Sequence, residues 1–170
     1  MRLPMTVCTV SLAMFLTACE STRTLTTPPV TAKFSSQAAR ADVEKFVILQ
    51  SRTTALNDKK KRVEIDGVPC TVDGNGFSLD YKTPANLQLP VFGVKTSDLS
   101  MSCTYKGTKR FKSIKVRNLT AERISNAGAG GGLIGSLIAS GIAASRGNKP
   151  GDDYTYLTPK MFLDSDPGNR

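Results

Sequence analysis

Between residues 62 and 117 apolar side chains recur at every second position, and glycine interrupts them about every ten residues. Val63 and Ile65 share one parity, and the pair Asp66-Gly67 is a turn signal. Val68–Val72 follows and carries Cys70. The sequence Asp73-Gly74-Asn75-Gly76 is a second turn, after which Phe77, Leu79 and Tyr81 alternate. Thr83-Pro84 breaks the run, and Leu87 and Leu89 alternate up to Pro90. Leu99, Met101, Cys103 and Tyr105 again share a parity, which turns Cys103 inward with its neighbours. Gly107 reverses the chain, and Phe111–Arg117 reads as another strand with Ile114 and Val116 inward. Short strands with one apolar face, separated by tight turns, predict a mainly β fold: a small β-sandwich whose two sheets bury their apolar sides against each other.

The flanks are less regular. A short helix is expected over Ser36–Arg40, capped by Ser35 or Ser36. Val43–Gln50 is apolar and β-branched and reads as a strand, with a helical turn as the competitor. Residues 51–60 read as a polar loop. Tyr154–Leu163 reads as a last strand broken by Pro159.

The amino terminus carries Arg2, then a mostly apolar stretch to Phe15, then Leu16-Thr17-Ala18-Cys19. A positive end, an apolar run and small residues before a cut site make an export signal. The run is too short to cross a bilayer stably. The last four residues resemble the bacterial lipobox, in which small residues precede an acylated cysteine. The competing reading is an ordinary secretory signal that happens to contain a cysteine. The resemblance implies cleavage before Cys19, a diacylglycerol on its thiol and an N-acyl chain on the new terminus. It implies no other cofactor. In that family an Asp after the cysteine commonly retains the protein in the inner membrane; Glu20 therefore implies the outer membrane, and the periplasmic side is the expected face. Two or more acyl chains hold a protein durably, whereas one binds reversibly.

Four cysteines are present. On this reading Cys8 leaves with the signal and Cys19 carries lipid, so Cys70 and Cys103 remain in an oxidising compartment, where they most simply pair. Such a bridge is expected to stabilise the fold by roughly 3–4 kcal/mol. A redox role is the alternative, although the C-x-x-C spacing is missing. The chain divides into a signal (1–18), a lipidated cysteine with a Ser/Thr/Pro-rich flexible tether (19–33), a β-sandwich (34–120), a glycine-rich helical segment (121–150), and a last strand with its tail (151–170). Fully extended, the tether would reach roughly 45 Å.

The stretch Ile65-Asp66-Gly67-Val68-Pro69-Cys70, together with Thr83-Pro84-Ala85-Asn86-Leu87-Gln88-Leu89-Pro90, resembles PEGA-type envelope modules. These are small β-sandwiches in which a strand and a Gly turn lead to Thr-Pro-Ala, alternating leucines and a proline. The cysteine pair is an addition to that pattern. The resemblance implies a non-enzymatic surface or periplasmic module.

Residues 127–145 hold 19 positions without a charge. On a helix Gly128, Gly132, Ser136 and Ser140 would stack at four-residue spacing, with Gly135 on the adjoining ridge and Leu133, Ile134, Leu137, Ile138 and Ile142 mainly opposite. A ridge of small residues admits a second helix closely, and the pattern resembles the glycine zippers of envelope proteins. Three readings compete: a helix packed on the body or inserted shallowly, a membrane-spanning or oligomer-forming zipper, and a flexible linker. If the strand after it rejoins the body, the segment starts and ends on one side of a membrane.

The formal charge is +9. Lys106, Lys109, Arg110, Lys112, Lys115 and Arg117 crowd one hairpin and are candidates for binding lipopolysaccharide phosphate or an anionic glycan. The competing reading is a solvated sheet face whose charges block edge pairing. Nucleic acid is not an expected partner outside the cytoplasm. The chain has no His and no Trp, which excludes a His-based triad and a His/Cys metal site. The adjacent Asp152 and Asp153 are a weak carboxylate pair, because neighbours on a strand point apart. The expectation is a non-catalytic envelope lipoprotein that is a structural or assembly component at the outer membrane. Its expected partners are the membrane, other envelope proteins and copies of itself. The alternatives are a glycine-zipper oligomer that forms a pore or plug, and a module that binds anionic glycan.

Overall fold

The predicted turns and alternation set the strands. A computed structural model describes residues 24–127 and 147–164. Strands β1 (Val30–Thr31) and β2 (Lys33–Phe34) precede helix α1 (Gln37–Ala41). Then come β3 (Lys45–Leu56), β4 (Arg62–Glu64), β5 (Pro69–Gly74), β6 (Phe77–Lys82), β7 (Ala85–Val91), β8 (Leu99–Tyr105), β9 (Thr108–Ile114) and β10 (Val116–Asn118). Helix α2 (Leu119–Ala127), β11 (Tyr154–Tyr156) and β12 (Lys160–Phe162) complete the described chain.

One sheet has the order β2-β6-β5-β8-β9, antiparallel throughout. Its β5–β6 hairpin turns at Asn75-Gly76, where Gly76 takes a left-handed φ of +79° that costs a glycine no side-chain clash. Cys70 and Cys103 stand directly opposite on β5 and β8 and form a disulfide. The second sheet has the order β1-β7-β3-β12, with β4 also on β3. Here β7 and β4 run antiparallel to β3, whereas β1 joins β7 and β12 joins β3 in parallel. Strands β10 and β11 form a separate antiparallel pair.

Val72, Leu79 and Met101 of the first sheet and Leu87, Leu89 and Val91 of the second are fully buried and belong to one hydrophobic cluster, which Tyr154, Tyr156 and Met161 join. Burying each such aliphatic side chain contributes roughly 1.5–3 kcal/mol. Polar links cross the same core. Ser51 Oγ on β3 meets Tyr81 OH on β6 at 2.8 Å, and Thr53 Oγ1 meets Thr83 Oγ1 at 2.7 Å. Burial pushes the Tyr81 phenol up to about 12, so it stays neutral and free to share its proton with Ser51.

Several sequence expectations hold. Helix α1 forms with Ser36 as its cap, accepting from Ala39 N at 3.1 Å. The last strand rejoins the body in two pieces around Pro159. Three expectations need correction. Residues 51–56 are strand, because Ser51, Arg52 and Thr53 are polar yet buried through hydrogen bonds to neighbouring elements. Phe111–Arg117 is two strands, split at Lys115, where Asp98 accepts from Val116 N at 2.9 Å. The presumed flexible tether is docked over its second half: Val30–Thr31 and Lys33–Phe34 pair with different sheets.

Candidate functional site

Cys19, the expected lipidation site, lies outside the described residues, as do the helix-packing positions Gly128, Gly132, Gly135, Ser136 and Ser140. The chain enters view at Thr24 and at once crosses the second sheet. Asn86 of β7 donates its side-chain amide to Leu25 O at 3.2 Å and Thr27 O at 2.9 Å. Residues 24–27 thus form a strap over a cleft of about 230 Å³ lined by Arg52, Glu64, Asp66 and Pro84.

Arg52 is 7 % exposed beneath this strap. Its Nη1 donates to both carboxylate oxygens of Glu64, at 2.7 and 2.8 Å, and its Nη2 to Gln50 Oε1 at 3.1 Å. Charge-assisted hydrogen bonds of this kind are shorter and stronger than neutral ones. The chemistry here is structural: Glu64 engages Nη1 and Gln50 engages Nη2, the two nitrogens that an anionic ligand would use. No local pattern in the sequence marks this site, because Arg52 stands in the stretch expected to be a polar loop.

Strand register shows which side of β3 faces out. Val47, Leu49, Ser51, Thr53 and Ala55 turn toward the core, and the alternate positions turn away. On that outer face Phe46, Ile48 and Leu56 are exposed large apolar residues, and so is Phe162, which sits beside Thr54 on β12. Arg62 lies over the Phe162 ring, with its guanidinium carbon 4.1 Å from the centroid.

The six-residue basic cluster is dispersed. Lys115 pairs with Asp98 at 2.6 Å, and Arg117 pairs with Glu122. Their partners' carboxyls sit below the usual range, chiefly through these side-chain hydrogen bonds. Arg110 and Lys112 lie on the core-facing parity of β9, opposite Cys103 and Met101, and Lys112 reaches over to donate to Lys160 O at 2.9 Å. Lys109 lies 5.2 Å from the Phe111 ring on the other face, and Lys106 lies beside Tyr105 in the β8–β9 turn. These cations point in several directions and several are already engaged.

The carboxylate pair is divided likewise. Asp152 is buried and accepts from Asn118 Nδ2 at 2.8 Å and Lys149 N at 3.0 Å. Asp153 is held low by its hydrogen bond from Lys45 on β3 and by Arg123 on α2. Asn118 also caps α2, accepting from Ala121 N at 2.9 Å, and donates to Asn148 Oδ1 at 3.2 Å. The chain on either side of the glycine-rich segment is therefore fastened to the same end of the body. Among the described residues no cluster of three metal-ligating side chains occurs, and no helix is long and apolar enough to cross a membrane. No protein-family model, curated protein or solved structure matches the chain.

Proposed function

We propose that the chain is a non-catalytic lipoprotein of the cell envelope, held on the outer membrane by acyl chains on Cys19 and facing the periplasm. Its body is a disulfide-linked β-sandwich that acts as a structural or assembly component. The observation that carries this reading is the lipobox-like Leu16-Thr17-Ala18-Cys19, followed five residues later by a strap fastened to the body. Five residues span at most about 18 Å, so an acylated Cys19 would hold the body close to its membrane. The single cluster shared by two sheets supports the sandwich, and the buried Cys70–Cys103 bridge suits an oxidising compartment.

The fastened flanks favour a body-associated glycine-rich segment over a spanning one. A single traverse of the bilayer would part the flanks by about 30 Å, yet Asn118 bonds Asn148 and Thr120 Oγ1 accepts from Asp153 N at 2.9 Å. The dispersed cations give less support to a dedicated anionic-glycan site. Metabolic labelling with a fatty acid tests the proposal. Label should enter the wild-type chain and be lost in Cys19→Ala. Equal labelling of both, or none in the wild type, would refute it.

A further inference from the structure

The four exposed apolar side chains of the β3 sheet share its outer face. Phe46 is 44 % exposed, Ile48 60 %, Leu56 43 % and Phe162 40 %. They fall in two pairs on either side of Arg52 and the strap, Phe46 with Ile48 toward one end of β3 and Leu56 with Phe162 toward the other. Cations stand among them. Arg62 covers Phe162, Lys112 Nζ lies 5.6 Å from the same ring, and exposed Lys160 is in register with Arg52.

The position of the strap says what this face meets. Asn86, which holds Leu25 and Thr27, is in register with Gln50, the next outward position of β3 after Ile48. The described chain therefore begins on this face, where residues 24–27 share a cleft with Arg52 and Glu64. Given an acylated Cys19, about 18 Å of chain at most separates this face from the lipid. Phe111, 69 % exposed and close to Lys109, belongs to the outward face of the other sheet.

We propose that the outer face of the β3 sheet lies against the bilayer that carries the anchor. Phe46, Ile48, Leu56 and Phe162 enter the headgroup region, and Arg62 and Lys160 meet anionic lipid phosphates. Apolar side chains backed by cations bind such interfaces, most strongly where the lipids are anionic. The inference rests on the lipoprotein reading of Cys19. It adds an orientation: the β3 sheet faces the membrane and the disulfide-bearing sheet faces away from it.

The chain has no Trp, so one introduced Trp reports one position. Ile48→Trp, Phe46→Trp and Phe111→Trp variants of the lipidated chain would be reconstituted in vesicles of phosphatidylcholine and phosphatidylglycerol with brominated acyl chains. Trp at 48 and at 46 should shift to the blue and lose most of its emission, while Trp at 111 keeps its own. Replacing phosphatidylglycerol with phosphatidylcholine should restore part of the lost emission. Equal quenching at 48 and 111 would overturn the proposal. So would a blue shift at 48 without quenching, which would mean that protein covers the face. Fatty-acid content is measured in the same preparation. Acylated protein without quenching refutes the docking alone; unacylated protein refutes the anchoring, and the docking with it.

Discussion

Removing the Cys70–Cys103 bridge should destabilise the fold without changing it. The two residues are directly opposed on paired strands, 4.1 Å apart at Cα and 4 % and 1 % exposed. The ladder between β5 and β8 holds them together whether or not the sulfurs bond. The bridge therefore acts mainly on the unfolded chain, where it ties positions 33 residues apart. The chain-entropy relation puts that constraint at about 4 kcal/mol, a large share of the 5–15 kcal/mol typical of a domain. For a body of this size the melting temperature should fall by roughly 10–20 °C. Urea titration followed by far-UV circular dichroism would measure the change on Cys70→Ala, Cys103→Ala and the double variant. Either single substitution removes the whole crosslink, so the double variant should cost only slightly more than each single one. The m-value should rise in all three, because the freed chain exposes more surface on unfolding. Single costs that add up in the double variant, or a loss below about 1 kcal/mol, would show that the bridge does not act through the unfolded chain.

Glu64→Gln leaves the buried Arg52 cation without its carboxylate and should cost about 3 kcal/mol in the same titration, at the low end for a broken buried pair because Glu64 is partly exposed. An unchanged midpoint would show that solvent already screens Arg52. Asn86→Ala removes both bonds that hold the strap, and hydrogen exchange over residues 24–29 should quicken while the core strands keep their protection. Uniform exchange across the chain would instead mean a global effect. The depressed carboxyls of Asp98, Glu122 and Asp153 give acid lability. Their contribution is complete above the unfolded carboxyl range near pH 4 and is lost as pH falls through the lower folded values. Stability that stays flat from pH 5 down to pH 2 would show that these pairs contribute nothing.

Where side-chain chemistry and local periodicity agree, the strands were legible in the sequence. Phe77, Leu79 and Tyr81, and Leu99, Met101 and Cys103, alternate and are buried as their parity requires. The cysteine pairing followed from the cysteine count and from the compartment implied by the amino terminus. The second half of β3 was illegible because its inward residues, Ser51 and Thr53, are hydroxylated. They are buried by bonds to Tyr81 and Thr83, partners 30 residues away that periodicity does not reveal. The strap was hidden for a similar reason. A Thr- and Pro-rich stretch buries little by itself, and the amide that fastens it comes from Asn86, some 60 residues on. The parallel pairs β1–β7 and β3–β12 also join segments far apart in sequence. The basic hairpin was legible as a run of charges, but its partners were not. Asp98, Glu122 and the Lys160 carbonyl each engage one cation from a different direction.

Intact mass spectrometry of the protein extracted from membranes with mild detergent tests acylation at Cys19 most directly. The lipoprotein reading predicts a chain that begins at Cys19, with a mass raised by a diacylglycerol and an N-acyl chain. A chain that retains residues 1–18, or one that begins at or near Cys19 with an unmodified thiol, would contradict it.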